Sequence, residues 1–409
     1  MFVLSAWSLY NLPILIAGVG RMRKRDFRHR GSPKHKDRLP FVSIIVPVRN
    51  EEKVISRLLN SLVKLNYPSD KMETIIVEDG STDRTLGVCV EFAESHNFNL
   101  KVHHRTSSDG KPSALNFGLG EARGEIIGVF DADSIPAPDC LINVFQYFNE
   151  PNVAAVQGRT LSTNSEENML TRLLSYEDAA WSEAYLQGKD SLNLFVGLRG
   201  SCMFMRRDIL ERLGGFGETF LAEDMELSAR LAMEGYKIKY APDVKSWQEN
   251  PSSLKQLFRQ RTRWYRGWLE VAMKYGRLMA KPTRIRIDAE ATLLGPLMLI
   301  ASIVTYIAAF QTFITPMPPA GAWRFLMQFS GIMTTLLVCS CAIALMYMSK
   351  QRKLSSLFWL PFIYFYWCLQ AFVALYAVLL ILFNRPKEWS RTKKSGTIAN
   401  SDLVSSGYV

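Results

Sequence analysis

Cysteine is scarce and poorly spaced for chemistry. The six present (Cys89, Cys140, Cys202, Cys339, Cys341 and Cys368) contain no C-x-x-C pair. A zinc ribbon or disulfide framework is thereby excluded, leaving reduced, packed thiols. There is no internal repeat of solenoid period and no low-complexity tract, which excludes arrays and disordered scaffolds. Phosphate-cradling glycine loops are missing too. Gly118–Gly124 has one residue too many for G-x-G-x-x-G, and it closes a helical pattern instead of opening one. Asp109-Gly110-Lys111-Pro112-Ser113 has Arg105 where a P-loop needs its first glycine. Rossmann and Walker chemistry both fall away.

What is present is unevenly distributed. The 409 residues are 48% hydrophobic and 21% charged, but long uncharged runs sit at the two ends of a mixed, charged middle. The net charge of +11 is concentrated as well. Residues 21–38 carry nine Lys/Arg against Asp26 and Asp37, and the tail from Arg385 carries five against Glu388 and Asp402. Each basic segment follows an apolar run, the pattern of cytoplasmic flanks facing anionic lipid. No basic helix or stacking-aromatic module accompanies the charge, so a nucleic-acid partner is excluded.

Residues 2–19 are uncharged and apolar and are followed by Arg21, Arg23, Lys24 and Arg25. A secretory signal places its positive charges before the apolar run, so this pattern predicts a membrane helix over 1–20 and a basic cytoplasmic linker over 21–40. Apolar runs at about 289–315, 323–348 and 356–383 reach the ~20 residues needed to span a bilayer. They predict a C-terminal membrane region over 289–383 with about three helices and a basic tail over 384–409. The last run poses a conflict. One span would carry the basic tail outside, whereas a hairpin bent at Pro361 would keep it inside; a single tilted span is the preferred reading.

Between these ends, residues 41–250 alternate apolar strands (Phe41–Val48, Met72–Glu78, Leu100–Arg105, Glu125–Asp133) with helical patterns such as Glu51–Leu65. Near-continuous apolar strands separated by amphipathic helices predict an α/β fold, a mostly parallel sheet covered on both faces. Ligands of such sheets bind beyond the carboxyl ends of the strands, where three acidic clusters fall. Glu78-Asp79-Gly80-Ser81-Thr82-Asp83 reads partly as a turn and helix cap, but two adjacent acids need a cation or a ligand. Asp131-Ala132-Asp133 offers hard oxygen ligands of the kind Mg²⁺ or Mn²⁺ takes up beside a diphosphate. Glu223-Asp224 opens a helix, where a dipole-stabilised acidic turn and a general base are both consistent. Further on, Gln260, Arg263 and Trp264 share a helix face and Trp268 continues it, suiting either phosphate and sugar contact or a helix lying on lipid headgroups over 251–288.

Taken in order, Val46-Pro47-Val48-Arg49-Asn50-Glu51-Glu52, Asp79 in E-D-G-S-T-D, Gly110-Lys111-Pro112-Ser113-Ala114-Leu115-Asn116, Asp131-Ala132-Asp133, Glu223-Asp224 and Q-R-T-R-W resemble the processive membrane glycosyltransferases of family 2, the cellulose, chitin, hyaluronan and poly-N-acetylglucosamine synthases. The resemblance covers residues 41 to about 280 and the flanking membrane helices. It implies a GT-A-type domain over 41–250, with transmembrane helices at both ends of the chain. It further implies that Glu51 and Asp79 hold the uracil and ribose of a UDP-sugar, with Lys111 near the nucleotide. Asp131 and Asp133 would bind the diphosphate and the Mg²⁺ or Mn²⁺ ion, Arg263 the diphosphate, and Glu223, Gln260 and Trp264 the acceptor. Asp224 would be the catalytic base, and Gly200-Ser201-Cys202-Met203-Phe204 would line the acceptor side. The implied activity is inverting transfer to a growing β-linked polysaccharide, by an integral plasma-membrane protein with its catalytic domain in the cytoplasm. The alternative is single-sugar transfer to a lipid such as a polyprenyl phosphate or ceramide. An accessory subunit or a second copy of the chain completes the candidate partners.

Overall fold

The computed structural model describes residues 2–25, 39–276, 283–303, 360–387 and 392–399, with a few further positions such as Leu403. The chain divides into two units. A sheet unit comprises Arg30–Ser175, Phe195–Gln256 and Arg391–Val409, and a helical unit comprises Met1–His29, Tyr176–Leu194 and Leu257–Ser390.

Eight strands build the sheet: β1 (Val42–Val48), β2 (Met72–Asp79), β3 (Leu100–Arg105), β4 (Ile126–Val129), β5 (Ile135–Pro136), β6 (Val153–Ser162), β7 (Met203–Arg206) and β8 (Lys237–Gln248), in the order β3-β2-β1-β4-β7-β6-β8-β5. The first four are parallel to their neighbours, as the alternation of apolar strands and helices requires. Beyond them β7 runs antiparallel to both β4 and β6, and β5 antiparallel to β8, while β6 and β8 are parallel. The sheet is therefore mixed: among the described residues four of its seven strand pairings are parallel, as expected, and β7 and β5 are the antiparallel members. The short β7 follows a loop that turns back on itself at Gly200 and Cys202, both with positive φ, and this reversal was invisible to hydropathy.

Alternation along β1 splits its side chains between two faces. Val42, Ile44, Val46 and Val48 share a core cluster with Ile55, Leu58, Leu59 and Leu62 of helix Ile55–Val63 and with Cys89 and Phe92 of helix Thr85–Ser95. On the other face, helix Lys111–Glu121 comes so near that a Cβ on Gly118 would lie 2.5 Å from Ile45 Cγ2 and 3.2 Å from Val77 Cγ2. Both faces of the sheet are thus covered. Because β1 is flanked by β2 and β4, the order in which the strands are laid down reverses across it, and the ends of β1, β2 and β4 lie side by side, where ligands of such sheets bind.

In the helical unit, helix Phe2–Arg25 packs on the segment Ala180–Ser191 through glycine. A Cβ on Gly18 would lie 1.8 Å from the Ala184 carbonyl oxygen, and one on Gly188 2.0 Å from that of Ile14. Backbones approach this closely only where side chains are absent. Helix Leu254–Tyr275 enters this unit at Leu257 and buries Tyr265 against Val373, Ala374 and Ala377 of helix Leu360–Leu382. That last helix is continuous, and Pro361 stands at its second position, where its missing N–H is harmless. It is a single helix, as preferred above, and not a hairpin bent at Pro361. Among the described residues it is the one helix long and apolar enough to cross a membrane, over Phe365–Leu382 with a mean hydropathy of 2.1. The expected runs at 289–315 and 323–348 lie largely outside the described residues.

Candidate active site

The loops after β1 and β2 are stitched together by short polar side chains. Asn50, held at φ 53°, donates its N–H to Ser81 Oγ at 2.8 Å and accepts from the Thr82 N–H at 2.7 Å. The Glu51 N–H donates to Thr85 Oγ1 at 2.8 Å. The two acids at the end of β2 find their partners in the neighbouring strand, because the parallel register sets Glu78 beside His104 and Asp79 beside Arg105. Glu78, fully buried, meets His104 Nδ1 at 2.5 Å and accepts from the Ser81 N–H at 2.6 Å. Asp79 lies 3.2 Å from Arg105 Nη1 and accepts the Ser108 hydroxyl. Of the pair that the sequence left in need of a cation or a ligand, Asp79 is thus matched by the Arg105 guanidinium and Glu78 is held by hydrogen bonds.

Lys111 is the hub of the site. Its ammonium, at the start of helix Lys111–Glu121, lies 2.7 Å from Asp131 Oδ1, 2.9 Å from the Gly200 carbonyl oxygen and 3.5 Å from Glu223 Oε1. Burial works to discharge it, but Asp131, Glu223 and Asp224 outweigh burial and hold its pKa above the usual lysine value. Gly200 makes this convergence feasible. It sits at φ 75°, and a Cβ there would lie 3.2 Å from Asp224 Oδ2 and 3.3 Å from Lys111 Nζ. Within the Glu223-Asp224 pair the roles divide: Glu223 is buried on Lys111, whereas Asp224 is half-buried, with Oδ1 accepting the Met225 N–H at 2.8 Å.

Strand β4 stops at Val129, so Asp131 and Asp133 occupy the turn beyond it and do not share a strand face. Asp131 turns to Lys111 and to Gln248 Nε2, 3.2 Å away. Asp133 accepts the Glu249 N–H at 3.0 Å and lies 2.6 Å from Lys394 Nζ. Lys394 belongs to the basic tail that hydropathy assigned to the lipid surface. Instead the tail is laid over the ends of β5 and β8. The Ser395 and Gly396 N–H groups donate to Glu249 at 2.6 and 3.0 Å, and Leu403 is buried with Ile135, Ala137 and Trp247. The Lys394 side chain is partly buried, which works to discharge it, yet Asp133, Glu51 and Glu249 keep its pKa above the ordinary lysine value. Lys394, Gln248 and Glu249 escaped sequence reading because no local pattern marks a tail that returns to Asp133 from so far along the chain.

Among the described residues no three His, Cys, Asp or Glu side chains gather as a metal-ligand set. Asp131 and Asp133 nevertheless fit Mg²⁺ or Mn²⁺ as a pair of hard carboxylates, since such ions are commonly held by one or two carboxylates and completed by substrate phosphates and water. Each of the two acids partners a lysine, Asp131 with Lys111 and Asp133 with Lys394.

The Q-R-T-R-W segment lies on helix Leu254–Tyr275 of the helical unit. Gln260, Arg263, Trp264 and Trp268 are half-buried on one side of it, with Thr262, Tyr265 and Arg266 turned inward. Arg266 donates to the carbonyls of Arg385 and Pro386 at 2.6 and 2.9 Å, fastening the chain just past helix Leu360–Leu382. The residue that sequence reading passed over is Arg261, which pairs with Glu177 at 2.5 Å and lies over the Trp264 ring, 4.5 Å from its centroid.

A crevice lined by acids at the ends of β1, β2 and β4, in a mixed sheet continued by an antiparallel β7, defines a GT-A-like α/β domain. The family model of glycosyltransferase-like family 2 matches residues 40–267. The chain belongs to that family. It is 36% identical over 272 residues to the probable glycosyltransferase YdaM of Bacillus subtilis strain 168, covering 64% of this chain and 65% of that one. It is also 36% identical over 249 residues to a beta-monoglucosyldiacylglycerol synthase of Nostoc sp. strain PCC 7120, covering 59% and 52%. The match thus spans roughly half to two thirds of these relatives' lengths. The fold is shared with the mannosyltransferase PcManGT of Pyrobaculum calidifontis, solved with GDP-Man and Mn²⁺. The TM-score is 0.60 at 23% identity, over 94% of this chain and 98% of that one.

Proposed function

We propose that the protein is an inverting hexosyltransferase that moves a sugar from a UDP-sugar to a lipid acceptor at the membrane surface. The observation that supports this reading is the convergence of Asp131, Glu223 and Asp224 on Lys111: in it, an acid for the diphosphate and a general base share one fixed charge. The lipid acceptor, rather than the polymer implied by the sequence resemblance, is favoured by similarity to a relative named for a diacylglycerol product. Extension of a β-linked polysaccharide is the second reading, supported by the Q-x-x-R-W spacing of Gln260, Arg263 and Trp264.

In this reading Glu51 and Asp79 hold the uracil and ribose, while Asp131 and Asp133 face the diphosphate and would hold a divalent ion. When bound, the ion supplies positive charge to the departing diphosphate. Asp224 takes the proton from the acceptor hydroxyl. The oxygen forms its bond to the anomeric carbon on the face opposite the leaving group, and the electron pair of the broken C–O bond departs with the nucleoside diphosphate. One base suffices, and no covalent intermediate forms. Lys111 holds Asp131 and Glu223 in place, and Gln260, Arg263 and Trp264 serve the acceptor and the diphosphate.

Incubation of the full chain with UDP-glucose, UDP-GlcNAc, UDP-glucuronate or GDP-mannose, in liposomes with or without diacylglycerol, ceramide or polyprenyl phosphate, tests the proposal. Mass spectrometry should find one added hexose on one lipid, with stoichiometric UDP release; a ladder of sugar lengths without lipid would favour the polymer reading. Asp224→Asn should abolish transfer with UDP binding retained, and near-normal turnover in that variant would remove the base assignment.

A further inference from the structure

Trp264 lies at the centre of the Q-R-T-R-W segment, and what holds its ring is a chain of contacts from two distant parts of the sequence. The Arg261 guanidinium lies against the indole at 4.5 Å from the centroid. A flexible arginine could not fix a ring in this way, but Arg261 is anchored. Glu177 Oε2 accepts from Arg261 Nη2 at 2.5 Å and from the Tyr366 hydroxyl at 2.9 Å, and the Arg261 and Glu177 side chains are 12% and 25% exposed. One helix position on, Tyr265 donates to Gln370 Oε1 at 2.8 Å. Three residues after Glu177 the chain widens into the π-helix Ala180–Leu186, a form frequent at functional sites. This brings Trp181 to 6.5 Å from Trp268 and 4.6 Å from Tyr185.

We propose that Glu177 is a positioning residue for the acceptor platform: it immobilises Arg261, and Arg261 in turn fixes the orientation of the Trp264 indole. The inference rests on the reading that Trp264 meets the acceptor. The carboxylate supplies a hydrogen-bonded counter-charge that lets a guanidinium sit in a partly desolvated place, where a cation over an indole contributes most. Without that charge the guanidinium is drawn toward water and the indole loses its backing.

The test uses the full chain in nanodiscs, labelled with 5-fluorotryptophan, with the Trp264 ¹⁹F line assigned through Trp264→Phe. Glu177→Gln should shift or broaden that line and raise the acceptor KM about tenfold, while the donor KM and acceptor-independent donor hydrolysis stay unchanged. Glu177→Asp, which keeps the charge, should recover much of the loss, and Glu177→Gln should add nothing in the Trp264→Phe background. A Trp264 line unmoved by Glu177→Gln overturns the proposal, as does an acceptor effect that simply adds to that of Trp264→Phe. A moved line with an unchanged acceptor KM leaves the positioning intact and removes the acceptor role of Trp264 instead. Should Glu177→Gln fail to fold, Arg261→Lys, which keeps the charge but removes the stacked plane, gives the same readout.

Discussion

Replacing Lys111 by methionine keeps the length of the side chain and deletes the charge on which the site converges. The structure sets the magnitude. The Glu223 side chain is 4% exposed and would be left buried without its cation, whereas Asp131, at 36%, regains water. Removing one partner of a buried ion pair costs about 3–5 kcal/mol; with Asp131 screened by solvent, the lower end applies. For a unit of this size, about 3 kcal/mol corresponds to a drop of roughly 6–12 °C in Tm. A second readout separates the electrostatic role from lost packing. Lys111 shares Asp131 with any metal bound there, so the variant should accept Mn²⁺ as a replacement cation, and a metal at a hundred times its Kd adds about 2.7 kcal/mol. Thermal unfolding followed by circular dichroism, with and without Mn²⁺, should show a larger metal-induced rise in the variant than in the wild type. Equal rises would refute the shared cation position, and an unchanged Tm without metal would refute the electrostatic hub.

Three further outcomes follow from the geometry. Glu73, fully buried, is opposed by desolvation, but hydrogen bonds from Ser43, the Arg123 N–H, Lys101 and the Arg123 side chain outweigh it and hold its pKa down to about 2. The roughly 3 kcal/mol this implies is present above the ordinary glutamate pKa and is lost as the pH falls from about 4.5 to 2; urea unfolding of Glu73→Gln should lack that acid limb. Glu249→Ala removes the carboxylate that anchors Ser395 and Gly396, so trypsin should cut after Lys393 and Lys394 faster than in the wild type; equal cleavage rates would mean that Glu249 does not hold the tail. Gly124→Ala would place a Cβ 2.3 Å from the Ser43 backbone nitrogen and should destabilise the fold by about 1–3 kcal/mol, read as a lower urea midpoint.

The sequence was most legible where one interaction dominates. Apolar runs gave β1, β2 and β3 to within a residue at each end, because burial demands continuous apolar side chains, whereas β4 stops at Val129, short of the expected Asp133. The acids at 79, 131 and 133 stood out because apolar strands lead to them, and Glu223 and Asp224 because they open a helix. Partnership was not legible. Glu78 looked like half of a repelling pair until the parallel register set it beside His104, and register is a property of two strands. Arg261 drew no role from the sequence, since its partner Glu177 lies 84 residues earlier. Hydropathy gave the tail the wrong neighbour because charge counting weighs lysines by number, whereas Lys394 is placed by specific bonds to Asp133 and to the Glu249 carbonyl.

Those bonds also bear on membrane topology. Two groups 2.6 Å apart cannot lie on opposite sides of a bilayer, and Lys394 is joined in this way to Asp133. Whatever crossings the chain makes between the sheet-unit segment ending at Gln256 and its return at Arg391 must therefore be even in number. Three full spans, as the apolar runs alone suggest, would strand the tail on the far side. Helix Leu360–Leu382 is unbroken, and the tail stays beside the acids because it is bonded to them.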